Sequence, residues 1–66
     1  MGTRPAFRRS IVASSDIPAG TILRERLLAF KRPGTGLEPK YADFITGKKV
    51  VRDIKADDFL NFKDLA

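Results

Sequence analysis

The chain has 66 residues, 42% of them hydrophobic and 32% charged, with a formal net charge of +5. This length is enough for one small domain with a marginal core. Cys and His are both absent, which excludes disulfides and thiolate or imidazole zinc sites.

Basic residues are concentrated at the start, because Arg4, Arg8 and Arg9 lie in a stretch of nine residues without acids. Elsewhere basic and acidic residues alternate, which is typical of a solvated mixed-charge surface. We therefore expect no nucleic-acid partner, although the net charge keeps a nucleic-acid-binding module as an alternative. No apolar run approaches the roughly 20 residues of a membrane span, and no hydrophobic signal region begins the chain. We expect a cytoplasmic protein without a membrane partner.

The first half of the chain reads as short extended pieces joined by turns. Residues 1–7 are polar and contain Pro, and we expect a disordered leader or a linker or vector-derived remnant before a domain at 8–66. Residues 8–13 predict a strand. Asp16-Ile-Pro-Ala-Gly20 predicts a turn in which Gly20 takes a positive φ. Residues 21–23 and 28–31 are expected to be extended, with at most one helical turn at 24–27.

The second half begins with a helix signal and then repeats the pattern of the first. Pro39 suits a first helical turn, Tyr41, Phe44 and Ile45 form one apolar stripe, and Gly47 suits a left-handed cap. Residues 48–54 then predict a strand, 55–58 a turn, 59–60 an extended piece and 61–65 a final turn.

One phrase occurs twice in the chain. Residues 13–28 (copy 1) and residues 50–65 (copy 2) share D-I-x-A-x-x-[I/F]-L-x-x-x-x-L, with five identities in sixteen positions at an offset of 37. The repeat predicts a compact, mostly β fold with short helical turns and two similar halves. The expected core consists of the residues Leu23, Leu28, Leu60, Leu65, Ile17, Ile54, Val51 and Phe59. Asp16 and Asp53 are expected to accept backbone N–H bonds at the turns.

Between the copies lies an unlike loop, Arg32-Pro-Gly-Thr-Gly36, which is the candidate binding site. Its glycines permit tight turns and close approach, but it lacks the signatures of a P-loop or a dinucleotide fingerprint. An ordinary connecting loop is the alternative. If the loop binds a ligand, Arg32 offers a fork of N–H donors, with Lys31 and Lys40 assisting. We predict no catalytic residues and no metal ligands, because no nucleophile–base pair exists and Asp57-Asp58 fits a polar turn.

Three segments together resemble a known family. RRSIVASSDIPAGTIL, KRPGTGLEPKY and GKKVVRDIKADDFL are similar, in this order and spacing, to the C-terminal antifreeze-like (SAF) domain of bacterial sialic acid synthases. The resemblance implies the β-clip, or pretzel, fold of type III antifreeze proteins, with an internal pseudo-twofold repeat. Related domains occur in legionaminic acid, pseudaminic acid and spore-coat polysaccharide synthases, in sugar-acid dehydratases, and in pilus or flagellar assembly proteins.

The resemblance also implies a function in carbohydrate biosynthesis. In such transferases, a barrel domain with a divalent metal (Mn or Mg) condenses phosphoenolpyruvate with N-acetylmannosamine or a related amino sugar. The small domain holds no cofactor and is not catalytic alone; it caps the barrel of the partner subunit in a domain-swapped homodimer. Arg32 would reach the acceptor sugar, in a substrate-binding loop formed by Arg32, Pro33, Gly34, Thr35 and Gly36. The alternative is a stand-alone interaction, carbohydrate-binding or ice-binding module.

Overall fold

Residues 8–66 are described here from a computed structural model, and the expected leader at 1–7 lies outside the described residues. Two short strands, β1 (Ser10–Ala13) and β2 (Leu28–Lys31), pair antiparallel with Ser10 opposite Lys31 and Ala13 opposite Leu28. Three 3-10 helices cover Glu25–Leu27, Pro39–Tyr41 and Phe62–Asp64, and one α-helical turn, α1, covers Ala42–Ile45. Within the described part of the chain no helix has the length and apolar character needed to cross a membrane.

The two copies of the repeat are joined to each other across an approximate twofold axis. At its centre Ile17 and Ile54 exchange backbone hydrogen bonds, N–H to O, of 2.7 and 2.8 Å. On either side, the Ala56 N–H donates to Asp16 Oδ1 and the Ala19 N–H donates to Asp53 Oδ1, both at 2.8 Å. The structural role predicted for the two carboxylates is confirmed. Each of them accepts its bond from the turn of the other copy.

The turns of the two copies also share a backbone conformation. Gly20 has a φ of 91°, as predicted, and its equivalent Asp57 has a φ of 70°. Short polar residues tolerate this left-handed region better than other non-glycine residues. The Gly20 N–H donates to Val50 O at 2.6 Å, and the Asp57 N–H donates to Ala13 O at 2.8 Å. The repeat in the sequence therefore corresponds to a repeat in backbone geometry.

The core lies between the two copies. Leu23, Leu60, Ile17 and Ile54 are fully buried as predicted, whereas Leu28, Leu65 and Phe59 are half-buried. The prediction for Val51 is wrong, since that side chain is 51% exposed while Val50 is fully buried. Val50 is the residue that bridges to Leu65 and donates its N–H to Thr21 O at 2.9 Å, so this register turns its side chain inward. Further buried hydrophobic residues are Ile11, Val12, Ala13, Leu37 and Ile45.

The strand predicted over residues 48–54 is also corrected. This segment makes only isolated bridges, Lys49 to Ile22, Val50 to Leu65 and Ile54 to Ile17, because the chain bends between them. The helix that follows Pro39 is present but consists of a 3-10 turn and a single α-helical turn, ending near Gly47 with the predicted positive φ of 96°.

The apolar stripe of this helix faces two directions. Ile45 is buried, but Phe44 is 61% exposed. The Phe62 ring makes edge-to-face contacts with two aromatic rings, with centroid-to-centroid distances of 5.4 Å to Tyr41 and 5.9 Å to Phe44. The single apolar stripe predicted from Tyr41, Phe44 and Ile45 is therefore divided, with Ile45 in the core and Phe44 at the surface beside Phe62.

Copy 2 contains an ion pair that copy 1 lacks, formed by a buried carboxylate and an exposed arginine. Asp64 takes the position of Leu27 in the repeat and is 2% exposed. It accepts hydrogen bonds from Arg52 Nε at 2.7 Å, Arg52 Nη2 at 3.3 Å and the Asn61 N–H at 3.1 Å. Burial raises the pKa of the Asp64 carboxyl, but these hydrogen bonds and the positive charge of Arg52 outweigh burial and lower it overall.

Candidate functional site

The Arg32–Gly36 loop is held against β1 by one serine side chain. Ser10, which is fully buried, donates its hydroxyl proton to Pro33 O at 2.7 Å and accepts the Gly36 N–H at 2.8 Å. Just beyond the loop, the Ile11 N–H donates to Leu37 O at 2.8 Å, and Leu37 is buried in the core. The loop is thus fixed at its second and fifth positions and at the residue that follows it. The peptide bond between Arg32 and Pro33 is cis.

The glycines of the loop are required by close packing against β1 and the residue pair before it. A Cβ atom on Gly34 would lie 2.3 Å from the Cβ of Arg8, and one on Gly36 would lie 3.3 Å from the Cβ of Ser10. Both are contacts within the chain. At these glycines the close approach is made by other residues of the protein, and the close approach of a ligand stays a prediction.

Arg32 is exposed at the start of the loop, and no ion pair or hydrogen bond engages its side chain within the described residues. Two cations of the adjoining segments are engaged: Lys31 Nζ lies 2.5 Å from Asp57 Oδ1, and Arg8 pairs with Glu38. Lys40 Nζ lies 3.5 Å from the same Glu38 carboxylate. Lys31 and Lys40, which the sequence suggested as helpers, thus pair with acids, whereas no acid of residues 8–66 pairs with the Arg32 guanidinium.

The other predicted loop residues differ in exposure. Pro33 and Thr35 are exposed, while Gly34 and Gly36 are half-buried against β1. The structure brings the five predicted residues together as one short surface. Ser10, which positions this surface, was missed by sequence reasoning, because the residue it holds, Gly36, is 26 positions away and no local pattern links them.

A cavity of 320 Å³ lies beside β2 and was not predicted from the sequence. It is lined by Glu25, Leu28, Phe30, Ala42, Asp43 and Thr46. Leu28 and Phe30 are two positions apart and project from the same face of β2, so the cavity lies against that face of the strand. Between residues 8 and 66, no group of three or more acidic side chains could hold a metal ion.

Comparison with known proteins gives the family. Residues 8–66 match the SAF domain. Over 58 residues the chain is 43% identical to an uncharacterized protein of Methanocaldococcus jannaschii and 41% identical to the pseudaminic acid synthase of Campylobacter jejuni. Each match covers 88% of this chain and 17% of the relative, so the chain spans a small part of the length of these proteins.

The fold has a counterpart among solved structures. The antifreeze protein-like domain of human N-acetylneuraminic acid phosphate synthase matches with a TM-score of 0.85 and 28% identity, over 98% of this chain and 82% of that one. The fold class expected from the resemblance, a mostly β antifreeze-like fold with short helical turns, is confirmed. The chain belongs to the SAF domain family and is related to the antifreeze-like domains of sialic acid and pseudaminic acid synthases.

Proposed function

We propose that this chain is the substrate-capping domain of a sialic acid synthase-type enzyme. In this proposal the domain contacts an N-acetylmannosamine-type acceptor sugar and closes the barrel active site of the partner subunit, where phosphoenolpyruvate is condensed with the sugar. The relationship to the domains of two sugar-acid synthases supports the enzymatic context. The chain itself contributes recognition and closure, and the catalytic groups lie in the barrel.

The observation that carries the proposal is the free Arg32 guanidinium on a fixed loop. A carboxylate that pairs with a guanidinium occupies N–H donors that a ligand could otherwise use, but Arg32 has no such partner in the described residues. The Ser10 hydrogen bonds hold the backbone that follows it. A planar donor fork on a fixed loop can orient a neutral sugar through an amide or hydroxyl oxygen.

Closure of a second domain is supported by the apolar surface that this small chain leaves exposed. Phe30, Phe44 and Phe62 are 43%, 61% and 47% exposed. If these Phe side chains packed against a larger domain, that contact would exclude water from the condensation and would stabilise a domain of marginal size. This chain covers 17% of its relatives, so these proteins are long enough to contain such a larger domain.

A chimeric enzyme tests the proposal. The 58 matched residues of this chain replace their counterparts in the Campylobacter jejuni pseudaminic acid synthase, to which they are 41% identical. We expect the chimera to form pseudaminic acid. Arg32→Ala in the chimera should raise the KM for the acceptor sugar roughly tenfold to a hundredfold, as expected for loss of a hydrogen bond from a charged donor. The KM for phosphoenolpyruvate should change little.

Arg24→Ala is the matched control, since Arg24 is also exposed and lies outside the loop. It removes the same charge from the same domain and should leave both KM values unchanged. An active chimera in which Arg32→Ala has the same acceptor KM as the Arg24→Ala variant would refute the role given to Arg32.

A further inference from the structure

The register of the two-stranded sheet, continued by one position, places a second arginine opposite Arg32. The last register pair of the sheet is Ser10 with Lys31, so the next residues outward on the two strands are Arg9 and Arg32. The two chain segments stay close beyond this pair, because Gly34 packs directly against Arg8. The Arg9 and Arg32 side chains therefore start from neighbouring backbone positions, and both are long enough to reach a common ligand.

The carboxylates around this end of the sheet are already used by other cations. Glu38 pairs with Arg8 and Lys40, and Asp57 pairs with Lys31. Arg9 is exposed and, like Arg32, makes no ion pair with another described residue. The seven residues that precede Arg8 contain no Asp or Glu, so they bring no acidic side chain to this position.

Guanidinium groups on neighbouring backbone positions repel each other when no acid pairs with them, as is the case for Arg9 and Arg32 within residues 8–66, and a bound anion would relieve this repulsion. Each guanidinium presents a planar fork of donors that matches the paired oxygens of a carboxylate or phosphate. We infer that Arg9 and Arg32 together form an anion-binding site for the carboxylate or phosphate group of a ligand at the Arg32–Gly36 loop. The inference rests on the proposed function only in taking that ligand to be a sugar derivative.

The test is a titration of the full 66-residue chain, followed by NMR of the backbone amides and the arginine Nε–H groups. Inorganic phosphate is the first probe. We expect saturable shifts at Arg9, Arg32 and the amides of the loop. Arg9→Gln and Arg32→Gln should each weaken phosphate binding about threefold to fivefold, the effect of losing one exposed ion pair. Arg24→Gln, which removes an equal charge elsewhere, should not weaken it.

Three sugar probes then separate the two sources of the anion. N-acetylmannosamine is neutral, its 6-phosphate carries a phosphate, and N-acetylneuraminate carries a carboxylate. Tighter binding of the 6-phosphate than of the neutral sugar assigns the site to phosphate, and tighter binding of N-acetylneuraminate assigns it to carboxylate. In either case Arg9→Gln should remove the advantage of the charged sugar.

Three results would overturn the inference: neither charged sugar binds more tightly than N-acetylmannosamine, Arg9→Gln leaves phosphate binding unchanged, or Arg24→Gln weakens it equally. The last result would reduce the effect to the overall positive charge of the chain. Failure here is distinguishable from failure of the capping role. If the chimeric synthase depends on Arg32 but not on Arg9, the capping role holds and the anion site does not. If the chain binds phosphate through both arginines but the chimera does not depend on Arg32, the anion site holds and the capping role does not.

Discussion

Replacing Ser10 with Ala should loosen the Arg32–Gly36 loop and lower the stability of the whole domain. The substitution removes a 2.7 Å bond to Pro33 O and a 2.8 Å bond from the Gly36 N–H, both made by a side chain with no exposed surface. A typical hydrogen bond contributes about 1 kcal/mol net, and a buried group left without a partner costs about 1–3 kcal/mol. Water can reach the outer side of this loop, so we expect a loss of about 2 kcal/mol. That is a large share of the roughly 3–10 kcal/mol available to a chain of this length.

Urea denaturation followed by far-UV circular dichroism measures this loss as a shift of the midpoint at constant slope. Ser14→Ala is the matched control, because Ser14 also donates its hydroxyl, to Arg26 O at 2.8 Å, but is exposed. Water can replace that bond, and the control should stay within about 0.5 kcal/mol of the parent protein. If the two variants lose equal stability, the anchoring role of Ser10 is incorrect.

Two further stability predictions use the same assay. Gly34→Ala should lower the free energy of unfolding by about 1–3 kcal/mol, because the new Cβ atom would force the segment at Arg8 away from the loop. Gly36→Ala should lower it less, because its new Cβ atom would meet its nearest neighbour at 3.3 Å rather than 2.3 Å. A larger loss in Gly36→Ala would contradict the packing described. Acid should remove the stabilisation that Asp64 provides, because the pKa of its carboxyl is lower in the folded chain than in the unfolded one. This contribution to stability is present above the ordinary carboxyl pKa near 4 and is lost as the pH falls through the pKa of the folded state. Asp64→Asn should therefore lose less stability than the parent between pH 7 and pH 3, and an equal loss would show that other carboxyls account for it.

The internal repeat was the strongest sequence signal, and the structure confirms what it predicted. An offset of 37 residues relates Asp16 to Asp53 and also relates the hydrogen bonds that each makes. The same comparison points to a residue that sequence reasoning passed over. Asp64 stands where copy 1 has Leu27, and a charged residue at an apolar position of a repeat indicates a local interaction peculiar to that copy.

Other features could not be predicted from a sequence pattern, because contacts with distant residues determine them. Val50 and Val51 are adjacent and chemically alike, and only the pairing of Val50 with Leu65 determines which one is buried. Residues 48–54 have the composition of a strand, but their partners change after every few residues. The five loop residues were found through their unusual composition, whereas the serine that holds them lies in an ordinary apolar strand.

The crossed bonds between the two turns have a consequence for how the chain folds. The Asp16 and Asp53 bonds join residues 40 and 34 positions apart, so neither turn can complete its hydrogen bonds before the far half of the chain arrives. A fragment that holds one copy would leave its carboxylate without its donor and its central isoleucine without its partner. We therefore expect residues 8–66 to fold in one cooperative step, limited by the closure of a long loop rather than by the formation of local structure.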